Sequence, residues 1–231
     1  MPPEEPAAPS RAVIVAAHNE ADCIGATLDA LAQALPGARL LVADDASTDG
    51  TQEVAMQHGA TVIRRGRSHG KGGNVTAAAE ALLSELGGNA TVLLSDSDLG
   101  ASAGELVALL EAVERGDCDL AVARFARSEG GGFGVALGYA RRRIEELSGF
   151  RAEAPISGQR AMRASTLREL IPFADGFGME LGMTVDAVRA GKRVEEIGLP
   201  LSHRATYRTI GGFLHRARQL RDFRRAARAR R

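Results

Sequence analysis

Three apolar residues run directly into two closely spaced carboxylates in the stretch Val92-Leu93-Leu94-Ser95-Asp96-Ser97-Asp98-Leu99. The apolar run predicts a short buried strand, and the polar residues after it predict a loop. Carboxylates at positions i and i+2 can face one point and hold Mg²⁺ or Mn²⁺, whose charge neutralises a diphosphate. Acidic turn residues also arise from local hydrogen bonding alone, so this stretch by itself leaves both interpretations open.

Strand and helix patterns alternate along the first half of the chain. Apolar runs predict strands at 12–17, 40–43, 61–63, 91–94 and 120–123. Apolar residues at helical spacing predict helices between them, including 24–35, 75–86 and 103–115, with a glycine-rich loop at 66–73. The later pattern predicts helices at 139–147, 166–171, 180–190 and 213–229, a strand or strand edge at 157–163 and a last strand at 194–201. Short connections of this kind predict an α/β fold with a mostly parallel sheet and helices on both faces.

Polar side chains follow three of the predicted strands. The pairs are Asn19 with Glu20, Asp44 with Asp45, and Asp96 with Asp98. Because the carboxyl ends of neighbouring parallel strands converge, these pairs are expected to line one crevice. The first strand is not followed by the glycine pattern of dinucleotide-binding folds, and no Walker loop is present. The acidic run at 45–49 is also typical of a turn that caps a helix.

Composition is that of an ordinary globular protein. The chain has 231 residues, of which 45% are hydrophobic and 25% charged, and this suits one domain. Its two cysteines match no zinc or disulfide pattern, which favours a reducing compartment. Residues 1–10 are rich in proline and glutamate, so we expect them to be disordered and not a signal peptide. We expect a cytoplasmic protein, either free or peripheral to the inner face of the membrane.

Charge is distributed unevenly, although the net charge is zero. Residues 203–231 contain ten arginines and one acid, so this tail carries +9 and residues 1–202 carry −9. The predicted helix at 213–229 is basic and amphipathic, a composition that lies on anionic membranes. A solvated helix with arginine stems covering the body is the alternative. Nucleic acid is disfavoured as a partner because the chain has no net charge and its basic residues are not regularly interleaved with aromatic ones.

Three motifs together resemble a family 2-type glycosyltransferase of the GT-A fold. They are Val13-Ile14-Val15-Ala16-Ala17-His18-Asn19-Glu20, Asp44-Asp45-Ala46-Ser47-Thr48-Asp49-Gly50-Thr51 and Asp96-Ser97-Asp98. Gly176-Phe177-Gly178-Met179-Glu180-Leu181-Gly182 and His203-Arg204 resemble glucosyl-3-phosphoglycerate synthases. Ser157-Gly158-Gln159-Arg160 and the 208–212 region also resemble dolichol- and polyprenol-phosphate sugar synthases. The resemblance implies a nucleotide-sugar donor, a divalent ion on its diphosphate, and transfer of the sugar to an acceptor. We expect the donor to be a UDP-sugar.

The resemblance also implies roles for individual residues. Those implied to bind the nucleotide sugar are Ala17, Asn19, Glu20, Asp45, Lys71, Asp96, Ser97 and Gly158. Those implied to bind Mg²⁺ or Mn²⁺ are Asp96, Asp98 and His203. The implied catalytic residues are Asp98, Glu180 and Arg160, with Glu180 at the donor sugar and Arg160, beside Gly158, at the acceptor phosphate.

Each of these residues also has a structural alternative. Glu180 opens a predicted helix, where a carboxylate favours the helix dipole. Lys71 lies between glycines and is also typical of a solvated turn. Arg160 is suited to bidentate phosphate binding but equally to surface ion pairs. His203 is as consistent with a hydrogen-bonded surface histidine as with a metal ligand.

We expect a phosphorylated or otherwise anionic acceptor, because basic residues recur at 141–143, at Arg160 and in the tail. An ionised phosphate needs no general base, whereas a hydroxyl acceptor would need one, with Asp175 and Glu180 as candidates. The alternative functions are a sugar nucleotidylyltransferase and a non-catalytic nucleotide-sugar-binding module. The expected domain spans 11–210, with a nucleotide-binding half at 11–125 and an acceptor half at 126–210, followed by a basic helix at 211–231. The sequence leaves a homodimer open.

Overall fold

The computed structural model describes residues 10–126, 134–202 and 211–230, with the backbone alone at 134–135 and 211–219. The strands are β1 (Arg11–Ala17), β2 (Arg39–Asp44), β3 (Thr61–Arg64), β4 (Thr91–Asp96), β5 (Leu120–Phe125), β6 (Arg160–Arg163) and β7 (Val194–Leu199). The helices are α1 (Ile24–Ala34), α2 (Thr51–Gln57), α3 (Gly70–Leu83), α4 (Val107–Arg115), α5 (Gly134–Ser148), α6 (Ala164–Leu170), α7 (Met179–Arg189) and α8 (Gly211–Arg228). Two short 3₁₀ helices, Gly100–Leu106 and Gly176–Gly178, precede α4 and α7.

The strands form one seven-stranded sheet in the order β3-β2-β1-β4-β6-β5-β7. Neighbouring strands are parallel except at β6, which runs antiparallel between β4 and β5. The expected α/β fold with a mostly parallel sheet is therefore confirmed. In the register, Ala16 of β1 lies beside both Ala43 of β2 and Asp96 of β4. The loops after these three strands consequently leave the sheet at one edge.

The alternation of side chains along each strand builds a core on both faces of the sheet. Val13, Val15 and Leu93 pack on one face, against α1, the Gly100–Leu106 helix and α4. Ile14 and Val92 pack on the other face, against α3, α6 and α7. Because successive residues of a strand point to opposite sides, the continuous apolar runs predicted from the sequence supply both layers at once.

A third apolar cluster joins α8 to the rest of the molecule. Phe223, Ala226 and Ala227 of α8 are buried against Leu181 and Val185 of α7 and against side chains of α5. Helix α8 is thus docked on the body along one face over its C-terminal half. None of the helices in the described part of the chain has both the length and the apolar composition needed to cross a bilayer.

Several element boundaries differ from the sequence prediction, among them those of α3 and α4. Helix α3 begins at Gly70, so Gly70–Gly73 form its first turn and not the end of a loop. Glycine is a poor helix former, which is why its spacing suggested a loop. A Cβ at Gly72 would overlap the carbonyl oxygen of Ala174, so tertiary packing overrides the propensity here. The helix predicted at 103–115 is likewise divided, with a 3₁₀ segment up to Leu106.

Truncating the centre of β4 should cost far more stability than truncating an exposed apolar residue. Leu93 is fully buried in the sheet, whereas Met56 is 58% exposed. We expect Leu93→Ala to lower the free energy of unfolding by about 2–5 kcal/mol, because it leaves a cavity. The matched control Met56→Ala should change it by no more than about 0.5 kcal/mol. Urea denaturation followed by circular dichroism measures both, and equal midpoints would contradict the core position of β4.

Candidate active site

The loops after β1 and β2 are joined by a set of short hydrogen bonds. The backbone N–H of Asn19 donates to Ser47 Oγ over 2.9 Å, and Thr48 N–H donates back to Asn19 Oδ1 over 2.9 Å. Glu20 N–H donates to Thr51 Oγ1, also over 2.9 Å. Hydroxyl and amide side chains at these positions therefore hold the two loops as one unit. This explains structurally why the second motif is so rich in serine and threonine.

Both loops contain a residue with a left-handed backbone. Asn19 has φ +57°, and Ala46 has φ +61°. Asparagine tolerates this region through local hydrogen bonding, but alanine does not, and such positions cost about 1–3 kcal/mol each. The surrounding bonds hold the strain in place, and strained positions of this kind cluster at functional sites.

Asp45, directly after β2, binds the start of α3. Its carboxylate accepts hydrogen bonds from Ser68 Oγ at 2.7 Å and from the backbone N–H groups of His69 at 2.8 Å and Gly70 at 3.0 Å. A carboxylate in this position satisfies N–H groups that a helix leaves unpaired and also favours the helix dipole. Asp45 thereby fixes the direction in which Lys71, the next residue of α3, extends.

Lys71 lies between two carboxylates from distant parts of the chain. Its Nζ atom is 2.6 Å from Asp96 Oδ1 at the end of β4 and 2.8 Å from Glu180 Oε1 at the start of α7. Glu180 is 4% exposed and therefore buried. We call Lys71, Asp96 and Glu180 the central ion cluster. The structure thus brings together three residues that the resemblance singled out separately.

The pKa of Lys71 reflects a competition between burial and its two acidic partners. Burial disfavours the charged ammonium and would lower the pKa. The carboxylates of Asp96 and Glu180 outweigh this effect, through their charge and their hydrogen bonds, and raise the pKa of Lys71 above its ordinary value. Lys71 is therefore a permanent cation at neutral pH, and it is not suited to act as a base.

The segment before β6 closes the cluster from another side. Gln159, with no exposed surface, donates through Nε2 to Asp96 Oδ2 over 2.7 Å. A Cβ at Gly158 would lie 2.5 Å from Lys71 Nζ and 2.7 Å from Asp96 Oδ1. Only glycine fits so close to the ion pair, which gives a steric reason for the glycine in this motif. Sequence reasoning missed Gln159, although its place between Gly158 and Arg160 was the available signal.

Arg160 is fully buried behind the cluster. Its Nε donates to the carbonyl oxygen of Ser157 and its Nη1 to Thr184 Oγ1, each over 2.9 Å. Its Nη2 has no hydrogen-bond partner among the described residues. Burial lowers the pKa of Arg160 to about 10, and the nearby Glu180 carboxylate opposes this shift. The guanidinium remains charged at neutral pH, so the region around Glu180 contains two cations and two carboxylates.

The second carboxylate of the Asp96-Ser97-Asp98 motif lines a cleft of about 360 Å³. Asp22, Cys23 and Ser202 also border this cleft. The loop itself is fixed by Thr27 of α1, whose Oγ1 donates to the carbonyl oxygen of Ser97 over 2.7 Å. His203, the predicted third metal ligand, lies outside the described residues, as do residues 204–210 of the predicted acceptor region.

Other predicted residues hold the loops together. Asn19 uses its side chain on the β2–α2 loop, as described above, and the Glu20 carboxylate accepts from Cys23 Sγ at 2.9 Å. Ala17 ends β1, and its carbonyl oxygen accepts from Asp45 N–H over 3.0 Å. Asp44, the neighbour of Asp45, is fully buried and lies 3.4 Å from Arg64 Nε, a contact that the sequence did not indicate.

A family comparison accounts for this arrangement. The sequence model described as glycosyl transferase family 2 matches residues 12–174, which is most of the chain. The chain belongs to glycosyl transferase family 2. It is therefore a glycosyltransferase, and the family resemblance predicted from the three motifs is confirmed. The seven-stranded sheet is the GT-A architecture that this resemblance implied.

Two proteins that this family 2 enzyme resembles are named for phosphorylated compounds. An undecaprenyl-phosphate mannosyltransferase of Micrococcus luteus is 30% identical over 207 residues, covering 83% of each chain. Glucosyl-3-phosphoglycerate synthase of Mycobacterium tuberculosis, solved with Mn²⁺, UDP and phosphoglyceric acid, is 26% identical, with a TM-score of 0.74 over 94% of this chain and 78% of that one. Its complex with Mn²⁺, UDP-glucose and phosphoglyceric acid is 25% identical, also with a TM-score of 0.74, over 94% and 79%.

Removing the shared cation of the central ion cluster should destabilise the fold strongly. We expect Lys71→Met to lower the free energy of unfolding by about 2–3 kcal/mol, because the buried Glu180 carboxylate loses its ion-pair partner and the partly exposed Asp96 keeps only Gln159. Lys192, the only other lysine in the sequence, pairs with the half-exposed Glu169 over 2.7 Å and provides the matched control. Lys192→Met should cost no more than about 1 kcal/mol.

The double variant Lys71→Met/Glu180→Gln tests the coupling within the cluster. Its loss of stability should be smaller than the sum for the two single variants, because neutralising Glu180 removes one of the unpaired charges. Urea denaturation gives all three values. Additive losses would show that Lys71 and Glu180 do not interact.

Proposed function

We propose that this family 2 glycosyltransferase moves a sugar from a UDP-sugar to a phosphorylated acceptor, with the help of Mg²⁺ or Mn²⁺. The observation that carries the proposal is the central ion cluster at the carboxyl edge of the sheet, beside the joined loops after β1 and β2. This edge is where open α/β sheets bind their ligands. The named complexes of the phosphoglycerate synthase support the donor and the ion, and both relatives support a phosphorylated acceptor.

The joined loops form the proposed nucleoside site. Asn19, Glu20 and Asp45 remain the proposed contacts to base and ribose, supported by their place on loops that are hydrogen-bonded to each other without a donor. A preorganised site of this kind loses little conformational entropy on binding. Lys71 lies at the same edge, near the proposed diphosphate, but Asp96 and Glu180 already balance its charge. The divalent ion would therefore supply the positive charge that favours the diphosphate of the donor.

The carboxylate types suit a hard divalent cation, but the described residues alone do not bring three acidic, histidine or cysteine side chains together at one point. Asp96 and Asp98 offer carboxylate oxygens, the ligands that Mg²⁺ and Mn²⁺ prefer, and we propose that they hold the ion together with His203. The ion would stabilise the negative charge that develops on the departing nucleoside diphosphate. Since Asp96 already binds Lys71 and Gln159, its orientation is set by the protein itself.

The acceptor phosphate is proposed to lie near Arg160 and Gly158, with Glu180 at the donor sugar. The Nη2 of Arg160, which lacks a partner among the described residues, supports an anionic group here, since a phosphate oxygen would satisfy it. Arg160 has no exposed surface, so such contact requires the residues that cover it to move. Glu180 is engaged by Lys71, an arrangement that suits an acceptor already ionised and in no need of a base.

Donor and ion binding can be tested without knowing the acceptor. UDP with Mn²⁺ should raise the melting temperature more than either alone, because each ligand stabilises only the native state. Asp98→Asn should abolish the additional rise caused by Mn²⁺ and lower UDP-sugar turnover roughly 100-fold or more. Asp117→Asn, an exposed aspartate paired with Arg115, is the control and should behave like the wild type. Unchanged turnover in Asp98→Asn would refute the metal assignment.

The acceptor class can be tested with paired substrates. We expect phosphoglycerate and short polyprenyl phosphates to accept sugar at least about 10-fold faster than their dephosphorylated counterparts, because charge-assisted hydrogen bonds to phosphate are lost in the latter. Product formation from radiolabelled UDP-sugars measures both rates. Equal rates on the neutral counterparts would show that no phosphate is recognised. The homodimer left open by the sequence stays a prediction, which sedimentation velocity can test.

A peripheral contact with anionic lipid through α8 is also part of the proposal. Arg221, Arg224, Arg225 and Arg228 are exposed and follow the i, i+3, i+4, i+7 spacing of one helix face. The opposite face is the one buried through Phe223, Ala226 and Ala227. Arg224, Arg225 and Arg228 have no ion pair with any acid in the described ranges, so their charge is not neutralised locally. A stripe of this kind complements an anionic surface.

Vesicle sedimentation tests the lipid contact. Changing the four stripe arginines to glutamine should lower binding to phosphatidylglycerol-containing vesicles roughly 10-fold or more, because each contributes about 1 kcal/mol near the surface. The matched control changes four exposed arginines that already pair with acids, namely Arg115, Arg142, Arg151 and Arg193. Equal pelleting of the two quadruple variants would leave α8 as a solvated helix.

A further inference from the structure

The C-terminal helix meets the active site through a turn that has almost no side chains. Gly176–Gly178 lies directly before α7, and α8 packs on one side of it. A Cβ at Gly176 would overlap the Asp222 carboxylate, and one at Gly178 would lie 2.7 Å from the Cβ of Ala226. The Asp222 carboxylate also accepts a hydrogen bond from the backbone N–H of Phe177 over 3.4 Å. Backbone and helix are therefore in direct contact.

The other side of the same turn meets the start of α3. A Cβ at Gly70 would lie 3.1 Å from the Cα of Gly176, and one at Gly72 would overlap the carbonyl oxygen of Ala174. The turn is thus packed between the Asp222 and Ala226 side chains of α8 and the first turn of α3, where Gly70 leaves the two backbones in direct contact. A close-packed contact of this kind leaves little space in which a displacement can be absorbed, so it transmits strain.

Both partners of one ion pair are attached to this packed unit. Lys71 lies in the first turn of α3, and Glu180 lies two residues after the Gly176–Gly178 turn. Their 2.8 Å contact therefore depends on how closely the turn and α3 approach each other. Helix α8 packs on the side of the turn that faces away from α3. The chain just after α8 is held by the bidentate ion pair between Arg230 and Asp186 of α7.

We infer that Asp222 is a positioning residue for the active site: through the Gly176–Gly178 turn it sets Glu180 against Lys71. Helix α8, which the sequence analysis described as part of a basic tail, then helps to position the catalytic groups. The inference deepens the proposed function and rests on it for the activity readout. It makes a separate statement about backbone order, which holds or fails whatever the substrate is.

Hydrogen exchange tests the contact between Asp222 and the Gly176–Gly178 turn independently of activity. We expect Asp222→Ala to speed amide exchange in the Gly176–Gly178 turn and in the first turn of α3, with no change in α1. Asp222→Asn should stay close to the wild type, because its amide oxygen still accepts from Phe177 N–H. Asp117→Ala, an exposed aspartate, should change neither segment. The inference would be overturned if exchange became faster only in α8. It would also be overturned if Asp222→Asn and Asp222→Ala sped exchange equally.

Kinetics then separates positioning from general loss of structure. With active sites counted by UDP titration, Asp222→Ala should lower kcat for sugar transfer roughly 10- to 100-fold and leave the Kd for UDP within about twofold. An unchanged kcat, or a kcat and a UDP affinity that fall together, would contradict a positioning role. If the wild-type protein transfers no sugar from any donor, the proposed function is wrong. The exchange result alone then tests whether Asp222 orders the Gly176–Gly178 turn.

A glycine pair provides a second route in case Asp222→Ala folds poorly. Gly176 and Gly191 both have positive φ, +56° and +72°, so alanine introduces comparable backbone strain at each. Only Gly176 has the Asp222 carboxylate against it, whereas nothing lies within 4 Å of a Cβ at Gly191. Gly176→Ala should therefore speed exchange in the first turn of α3, and Gly191→Ala should not. Equal exchange in the two variants would refute the transmission through the turn.

Discussion

The contact on which the structure depends most is the ion pairing of Lys71 with Asp96 and Glu180. It joins α3, β4 and α7, elements far apart in sequence, at the edge of the sheet. Isolated charges at such a largely buried position would be costly, and their mutual pairing offsets the loss of hydration. Because separating the three charged groups would leave them poorly hydrated, they favour this one paired arrangement. The cluster therefore holds these three elements together at the edge of the sheet where the proposed donor site lies.

Glycine determines how closely the surrounding elements can approach. At Gly158 a side chain would reach the ion pair, and at Gly72 and Gly176 it would enter the neighbouring backbone or the Asp222 carboxylate. The helix propensity of glycine is poor, so the first turn of α3 exists because of its packing and the cap from Asp45. The glycine-rich segments are therefore contact surfaces. Because glycine is very flexible in the unfolded chain, ordering these segments costs more conformational entropy than ordering other residues.

Much of the fold could be predicted because it rests on local patterns. The apolar runs and helical spacings placed most strands and helices, and short connections favoured parallel pairing. The insertion of β6 between β4 and β5 was not predicted. This strand is only four residues long, Arg160–Arg163, and it begins and ends with arginine. Its place in the sheet is set by pairing with strands that are distant in sequence. No periodicity in a single segment carries that information.

By itself, the sequence determined the α/β class, the family and the residues that end each strand at the functional edge, because these follow from hydrophobic period and motif spacing. Only the tertiary structure decided that Lys71 is a helical residue shared by two acids, that Gln159 fixes Asp96, and that α8 is docked beside the site. These contacts join residues between 25 and more than 100 positions apart, for example Lys71 with Glu180. Burial, charge pairing and steric exclusion arise only when the chain has folded.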